Sequence, residues 1–396
     1  MVRVGSLFSQ LLQQIPRDVF HGLVQKHRSE RYAKGFSSWT HLVAMLFSQL
    51  AHADSLREIC NGLACCEGKL VHLGIAKSPC RSTLAYANNH RPAEMFEGLF
   101  FKILDRFRRQ EMLGLPKRFR FKNRLLSLDS TIITLCLALF PWARYRQAKG
   151  GVKLHVLLSH EDYLPEYALL TEARQHDIRP ARQISLRPGS IVVMDRGYTD
   201  LALFGKWCRE GVFWVTRMKD GMAYEVMETY GLPQGGSILA DQIIHLSSAE
   251  AEERCPDRLR RIVAWDAEQQ REIVILTNHL EFGATTLANI YRERWQIELF
   301  FKALKQNLKI KSFVGTSENA LRIQIWTALL ALLLLKWLHF LSTAGWSLSN
   351  LASLLRLNLF TYRDLKEWLA KPFETPPLPP PEQLHLELPA LGQLPS

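Results

Sequence analysis

The sequence predicts an α/β fold, and three segments carry that prediction. Residues 191–195, IVVMD, are an apolar run that stops at a carboxylate, as in a strand covered on both faces. Residues 125–133, LLSLDSTII, alternate around a second carboxylate with the period of a strand. Residues 291–305, YRERWQIELFFKALK, have the period of a helix and bring a third.

In chain order, residues 1–100 read as an all-helical N-terminal domain, from the helical spacing of apolar residues in LFSQLLQQI and HLVAMLFSQLAHA. Ser55 is placed to cap LREICNGL, and Ser78 with Pro79 to open a helix through KSPCRSTLAYANNHR. Ser55 to Arg91 then reads as a helix-turn-helix whose last helix offers Arg81, Asn88, Asn89, His90 and Arg91 to a DNA groove. A purely structural bundle of short helices is the alternative. Residues 101–123 read as a basic linker: between Lys102 and Arg124, Lys117 among them, nine cations face two acids, Asp105 and Glu111. Phe107, Phe119 and Phe121, interleaved with them, favour a folded basic face over a solvated tether.

Strands are predicted at 124–133, 152–158, 166–172 and 191–195, then a helix at 200–210 and a strand at Phe213–Thr216. Asp129 falls in mid-strand between Leu128 and Ile132, where an ionised, unpaired carboxylate is costly; metal coordination or a buried hydrogen bond would each satisfy it. Asp195 falls where its strand breaks at Arg196 and Gly197, the edge at which open α/β sheets gather ligands. An aspartate that only starts a turn is the alternative there. Residues 220–280 are alternating and β-branched, as in RIVAWDAEQQREIVILTN.

Read as one helix from Tyr291 at about 100° per residue, Arg294 falls near 300°, Glu298 near 340° and Lys305 near 320°, so the four share a face. Lys302 and Lys309 lie within about 20° of Tyr291, whereas Ile297, Phe300, Leu304 and Leu308 cluster at roughly 180° to 260°. One stripe packs, and its neighbour presents a carboxylate among cations. Because Arg294 and Glu298 are four apart, a solvated helix with ion pairs worth only about 0.2–0.5 kcal/mol each is the competing reading.

Tyr291, two residues, Arg294, three residues, Glu298, six residues and Lys305 is the spacing of a signature found in bacterial insertion-sequence transposases. The chain resembles the "insertion sequence four" family of DDE transposases. LDSTIITLCLALFPWARYRQAKGGVKLH, with Asp129, and MDRGYTD, with Asp195, are similar to that family's first and second acidic motifs. The likeness runs from about residue 124 to 340. It implies an RNase H-like mixed-sheet catalytic core, 124–219 and 281–342, interrupted by a β-rich insertion at 220–280 and followed by a C-terminal helical region and Pro-rich tail at 343–396. It also implies cut-and-paste transposition, in which Mg²⁺ or Mn²⁺, as two ions, is held by Asp129, Asp195 and Glu298; hard oxygen ligands suit those cations. The resemblance assigns Tyr291, Arg294, Lys305, Arg196 and Tyr198 to DNA, and Lys302 and Arg81 join them as cations on the expected faces. The implied partners are transposon terminal inverted repeats and target DNA, bound by a homodimer. A hairpin at the transposon end is a step that the resemblance suggests. Trp265 would either stack on a flipped base or fill the core. A nuclease that cuts without joining and a transposase-derived DNA-binding regulator are the alternative functions.

Fifty Lys and Arg against 38 Asp and Glu give +12, a balance suited to a polyanionic partner. Seven scattered cysteines without a secretory signal point to the cytoplasm, on a bacterial nucleoid, and Cys60, Cys65, Cys66 and Cys80 lack a paired zinc spacing. The most apolar stretch, Ile325 to Leu335, is eleven residues, short of the ~20 that span a bilayer, and reads as a buried helix behind the glutamate helix.

Overall fold

The computed structural model describes residues 5–66, 68–110, 113, 118–136, 138–146, 149–233, 236–310 and 312–374. Lys117 and Glu111 of the basic stretch and the Pro-rich tail from Thr375 lie outside the described residues.

Six helices open the chain: α1 (Leu7–Leu12), α2 (Arg17–Lys26), α3 (Ser38–Leu50), α4 (Leu56–Ala64), α5 (Arg81–His90) and α6 (Ala93–Arg109). Ser55 caps α4 as expected, its hydroxyl accepting from the Glu58 N–H at 3.1 Å while the Glu58 carboxylate takes the Asp54 N–H at 2.8 Å. Helix α5 starts at Arg81, later than Ser78, because the Ser78 hydroxyl donates to the Cys60 carbonyl at 2.7 Å. A 3₁₀ turn over Leu70–Leu73 lies between α4 and α5, so their connection is far longer than the tight turn of a helix-turn-helix. Asn88 and Arg91 are buried, not presented: Asn88 meets His41 at 2.7 Å, and Arg91 donates to the Ser37 carbonyl at 2.9 Å. Arg81, Asn89 and His90 are exposed. Lys102 to Arg109, read as linker, are the last turns of α6, whose opposite stripe (Leu99, Phe100, Ile103, Phe107) is fully buried.

The α/β half follows as β1 (Leu125–Leu135), β2 (Arg144–Arg146), β3 (Lys149–Ser159), β4 (Pro165–Glu172), α7 (Ile178–Gln183), β5 (Ile191–Met194), α8 (Leu201–Arg209) and β6 (Phe213–Arg217). Strands β4, β3, β1, β5 and β6 lie side by side in that order, antiparallel from β4 to β1 and parallel from β1 to β6. This is the RNase H-like mixed sheet, with β1 at its centre. Strands β7 (Tyr224–Thr229), β8 (Ile238–Leu246), β9 (Leu259–Asp266) and β10 (Arg271–Thr277), with α9 (Ala249–Arg254) between β8 and β9, are the expected β-rich insertion. They extend the same sheet beyond β6, through β10, to ten strands in all.

The chain closes with α10 (Ala284–Arg292), α11 (Trp295–Asn307), α12 (Glu318–Leu341), α13 (Leu348–Asn358) and α14 (Leu365–Ala370). Helices α7, α8 and α9 cover one face of the sheet, over Leu126, Leu128, Val192 and Met194. The other face, carrying Leu125, Ile191 and Val193, is covered by α10, and further along by α11 and α12 over Ile133 and Leu135. The apolar run Ile325–Leu335 belongs to a helix of 24 residues, long and apolar enough to cross a membrane, yet its side chains from Ala320 to Leu335 are almost all buried against protein. It packs on α3, α5 and α6 as well as on α11, so one hydrophobic core runs from the N-terminal helices into the α/β half.

Candidate active site

Strand parity brings the first two acids together. Along β1, Leu125, Ser127 and Asp129 point to the α10–α11 face, while Leu126 and Leu128 point to the α8 face. Along β5, Ile191 and Val193 take the α10 side, so Asp195, one step past the strand, takes it too. The parallel register runs Leu125 to Ile191 through Leu128 to Met194, which makes Asp129 and Asp195 the next partners. The two acids thus come side by side, one step past paired strands that run about 4.8 Å apart, where β5 ends and β1 continues on β3 alone. Ile132, expected inside, is 40% exposed and Ile133 takes the core, because past Asp129 the strand has outrun β5 and keeps cover on one face only.

Glu298 arrives in the first turn of α11 and pairs with Arg294 at 2.7 Å. The expected stripe packs as drawn: Ile297, Phe300, Leu304 and Leu308 are all buried. The single helix does not form, however. Tyr291 lies in the last turn of α10, which ends at Arg292, and Glu293 and Arg294, both helical in backbone, make a tight turn before α11 starts at Trp295. Tyr291 is only 8% exposed; Lys305 donates to Thr131 of β1 at 2.6 Å, holding the far end of α11 on the strand of Asp129. Lys302 is exposed.

The electrostatics report that the three acids face one another. Burial, then Asp195 and Glu298, push the Asp129 carboxyl up to about 6, against the opposing pull of the Ser130 N–H and Arg294. Burial works against the Arg294 charge too, yet Tyr291, Glu298 and Asp129 hold its pKa above the usual value. Such a cluster of hard oxygens, one of them resisting ionisation, suits a divalent cation. Among the described residues the three carboxylates do not converge within 4.8 Å as a set; the one group that does is Cys208, Cys255 and Asp257. Cys60, Cys65, Cys66 and Cys80 make no such group.

Tyr198 is buried beneath the aspartates, its hydroxyl pKa raised by burial and by Asp129, so its ring is not open to DNA. Arg196 is exposed beside it and pairs with Asp220 at 3.4 Å. Next to the acids, a cavity of about 360 Å³ opens between the insertion and the α10–α11 turn, lined by Arg118, Arg217, Trp265, Tyr291, Arg294 and Trp295. Trp265 is 38% exposed and Trp295 53%, so neither is a core tryptophan. Trp295, beside the signature arginine, was not singled out, although the same count puts it about 40° from Tyr291, off the packing stripe and beside Lys302.

Residues 120–334 match the family model described as a transposase DDE domain, and residues 4–76 match a domain family of unknown function. A protein of Sinorhizobium fredii designated the transposase y4zB is 31% identical over 295 residues, 73% of this chain and 80% of the relative. One of Geobacillus stearothermophilus, designated a transposase for insertion sequence element IS5377, is 30% identical over 260 residues, 65% of this chain and 67% of the relative. A third, designated for element IS4SA in Synechocystis, is 27% identical over 67% of this chain and 73% of the relative.

Proposed function

Because the chain belongs to the DDE transposases, metal-dependent enzymes that cleave and join DNA by phosphoryl transfer, we propose that Asp129, Asp195 and Glu298 are its catalytic, metal-holding carboxylates. The observation that carries this reading is strand parity: it aligns Asp129 with Asp195 on the one face over which α11 brings Glu298. When bound, Mg²⁺ or Mn²⁺ ions supply Lewis acidity at the attacking and leaving oxygens of an in-line displacement. Two such ions, one for each of those oxygens, are the arrangement the family resemblance implies. Asp129, whose carboxyl is pushed up to about 6 by burial, must be ionised to act as a ligand. Arg294 and Lys305 serve the DNA phosphates beside the acids, with Arg196, Lys302 and the exposed Arg81 of the N-terminal helices as outer contacts. Tyr291 forms the wall of the cavity, and Tyr198 supports the aspartates from below.

The substrates are the terminal inverted repeats and a target duplex, handled in the cytoplasm by two copies of the chain. The cavity receives a nucleotide at the cut end, Trp265 and Trp295 offering ring faces and Arg118 and Arg217 charge. Stacking contributes about 1–3 kcal/mol per base, so Trp265→Ala is expected to weaken binding of end DNA with an unpaired terminal base about tenfold or more. Fluorescence anisotropy reads this directly; equal affinities for variant and wild type would empty the cavity of its role. The reading as a whole is tested by incubating the purified chain with DNA bearing its ends and Mg²⁺. Nicks at the ends and joined products are expected; nicks without joining would make it a nuclease, and binding alone a regulator.

A further inference from the structure

Glu293, between Tyr291 and Arg294 in the α10–α11 turn, is a carboxylate only 2% exposed. It pairs with Arg118, and its other oxygen lies 3.7 Å from the Nδ1 of His160, which follows β3. The opposite ring nitrogen, Nε2, meets the Ser127 hydroxyl at 2.7 Å. Ser127 is fully buried on β1, two residues before Asp129 and on the same face. Tyr163, in the same turn as His160, lies close enough to Glu293 for that charge to add to burial in raising its pKa, and its ring stands edge-on to His160 at 5.5 Å.

That turn is held in an unfavourable shape. Tyr163 has φ +51°, the left-handed region that residues with a side chain rarely occupy. The flanking Asp162 is clamped by Arg108 of α6 at 2.5 Å, and Lys336 of α12 donates to the carbonyls of Asp162 and Tyr163. Strained backbone persists where its surroundings impose it, and here they aim a histidine and a tyrosine at one buried acid. A buried carboxylate is an expensive way to fill space when an apolar side chain would serve. What its ties accomplish is to connect the strand of Asp129 to the two-residue turn from which Glu298 departs.

We propose that Glu293 is a positioning residue: through Arg118, His160–Ser127 and Tyr163 it fixes the turn between α10 and α11, and so sets Glu298 and Arg294 against Asp129. This rests on the reading of Asp129, Asp195 and Glu298 as the metal site. Glu293 touches no reacting atom; it acts by holding the third metal ligand in place, as outer partners of metal ligands do.

The test uses the full chain with end DNA, following nicking as Mg²⁺ is raised and recording the melting temperature of each variant. Glu293→Gln keeps the shape and removes the charge; it is expected to raise the Mg²⁺ concentration for half-maximal nicking by about tenfold or more. Ser127→Ala, which removes one buried hydroxyl and keeps the fold, is expected to shift it in the same direction by less. The double variant is expected to fall short of the product of the two effects, since both cut one chain of contacts. Glu293→Asp is expected to restore part of the loss. Glu298→Gln serves as the reference and is expected to abolish nicking. Persistent nicking in Glu298→Gln would remove the metal-site reading. An inactive Glu298→Gln beside wild-type Mg²⁺ dependence in Glu293→Gln and Ser127→Ala, even with lowered melting temperatures, would overturn positioning and leave Glu293 a structural acid.

Discussion

Alanine at Asp129, Asp195 or Glu298 is expected to lower the rate of Mg²⁺-dependent nicking at the ends by at least about a thousandfold, since cation stabilisation of such displacements is worth several kcal/mol. Binding of the same DNA is expected to survive, because the cations that meet phosphate lie on other side chains. Asp129 and Asp195 meet where β5 ends, and neither side chain holds the sheet together there: Asp129 pairs with Val156 of β3 through its backbone, which alanine keeps. Each variant therefore loses chemistry with its scaffold intact. Single-turnover gels with end DNA give the rates, and band-shift titrations give the affinities. A variant that nicks within tenfold of wild type would take that residue out of the metal site.

The second large effect couples pH, metal and stability through Asp129, whose carboxyl is pushed up to about 6 by burial first and by Asp195 and Glu298 after it. A cation must displace the proton, so at subsaturating Mg²⁺ nicking is expected to fall about tenfold per pH unit below 6. Stability runs the other way. The folded pKa exceeds that of the unfolded chain, so the neutral carboxyl's contribution is full below about pH 4 and is lost as pH rises through about 6. The difference at neutral pH is on the order of 3 kcal/mol. Asp129→Asn is accordingly expected to melt higher than the metal-free wild type at pH 8, with the gap closing towards pH 4, while nicking is lost. Added Mg²⁺ is expected to stabilise the wild type and leave Asp129→Asn where it was. Equal melting points at pH 8 would show that Asp129 carries no such burden.

Much of this architecture was legible because short strands announce themselves by composition. IVVM became β5, buried on both faces, and LLSLDSTII became the central β1 with its acid at the point where β5 stops. The stripe of Ile297, Phe300, Leu304 and Leu308 was legible for the same reason, since periodicity reports which side is buried. It does not report continuity: Glu293 and Arg294 keep helical backbone angles, and the turn between them is imposed by contacts from Arg118, His160 and Tyr163, all distant in sequence. The exposure of Ile132 was hidden likewise, because it depends on how far a neighbouring strand extends. The helix-turn-helix reading of Ser55 to Arg91 took polar residues for surface, whereas Asn88 and Arg91 bind His41 and the Ser37 carbonyl inside. Glu293 passed unremarked as one more charge in YRERW, though its burial makes it the least ordinary of them.

Helix α12 ties the two halves of the chain to a shared fate. It has the length and apolar character of a membrane anchor, and what keeps it from behaving as one is the cover of α3, α5 and α6 on one side and α11 on the other. Deleting the first hundred residues would therefore do more than remove the N-terminal helices: it would uncover the apolar sides of α12 to solvent. Those helices cannot be traded like a cassette, and changes in them must arise while they remain packed on the body they shield.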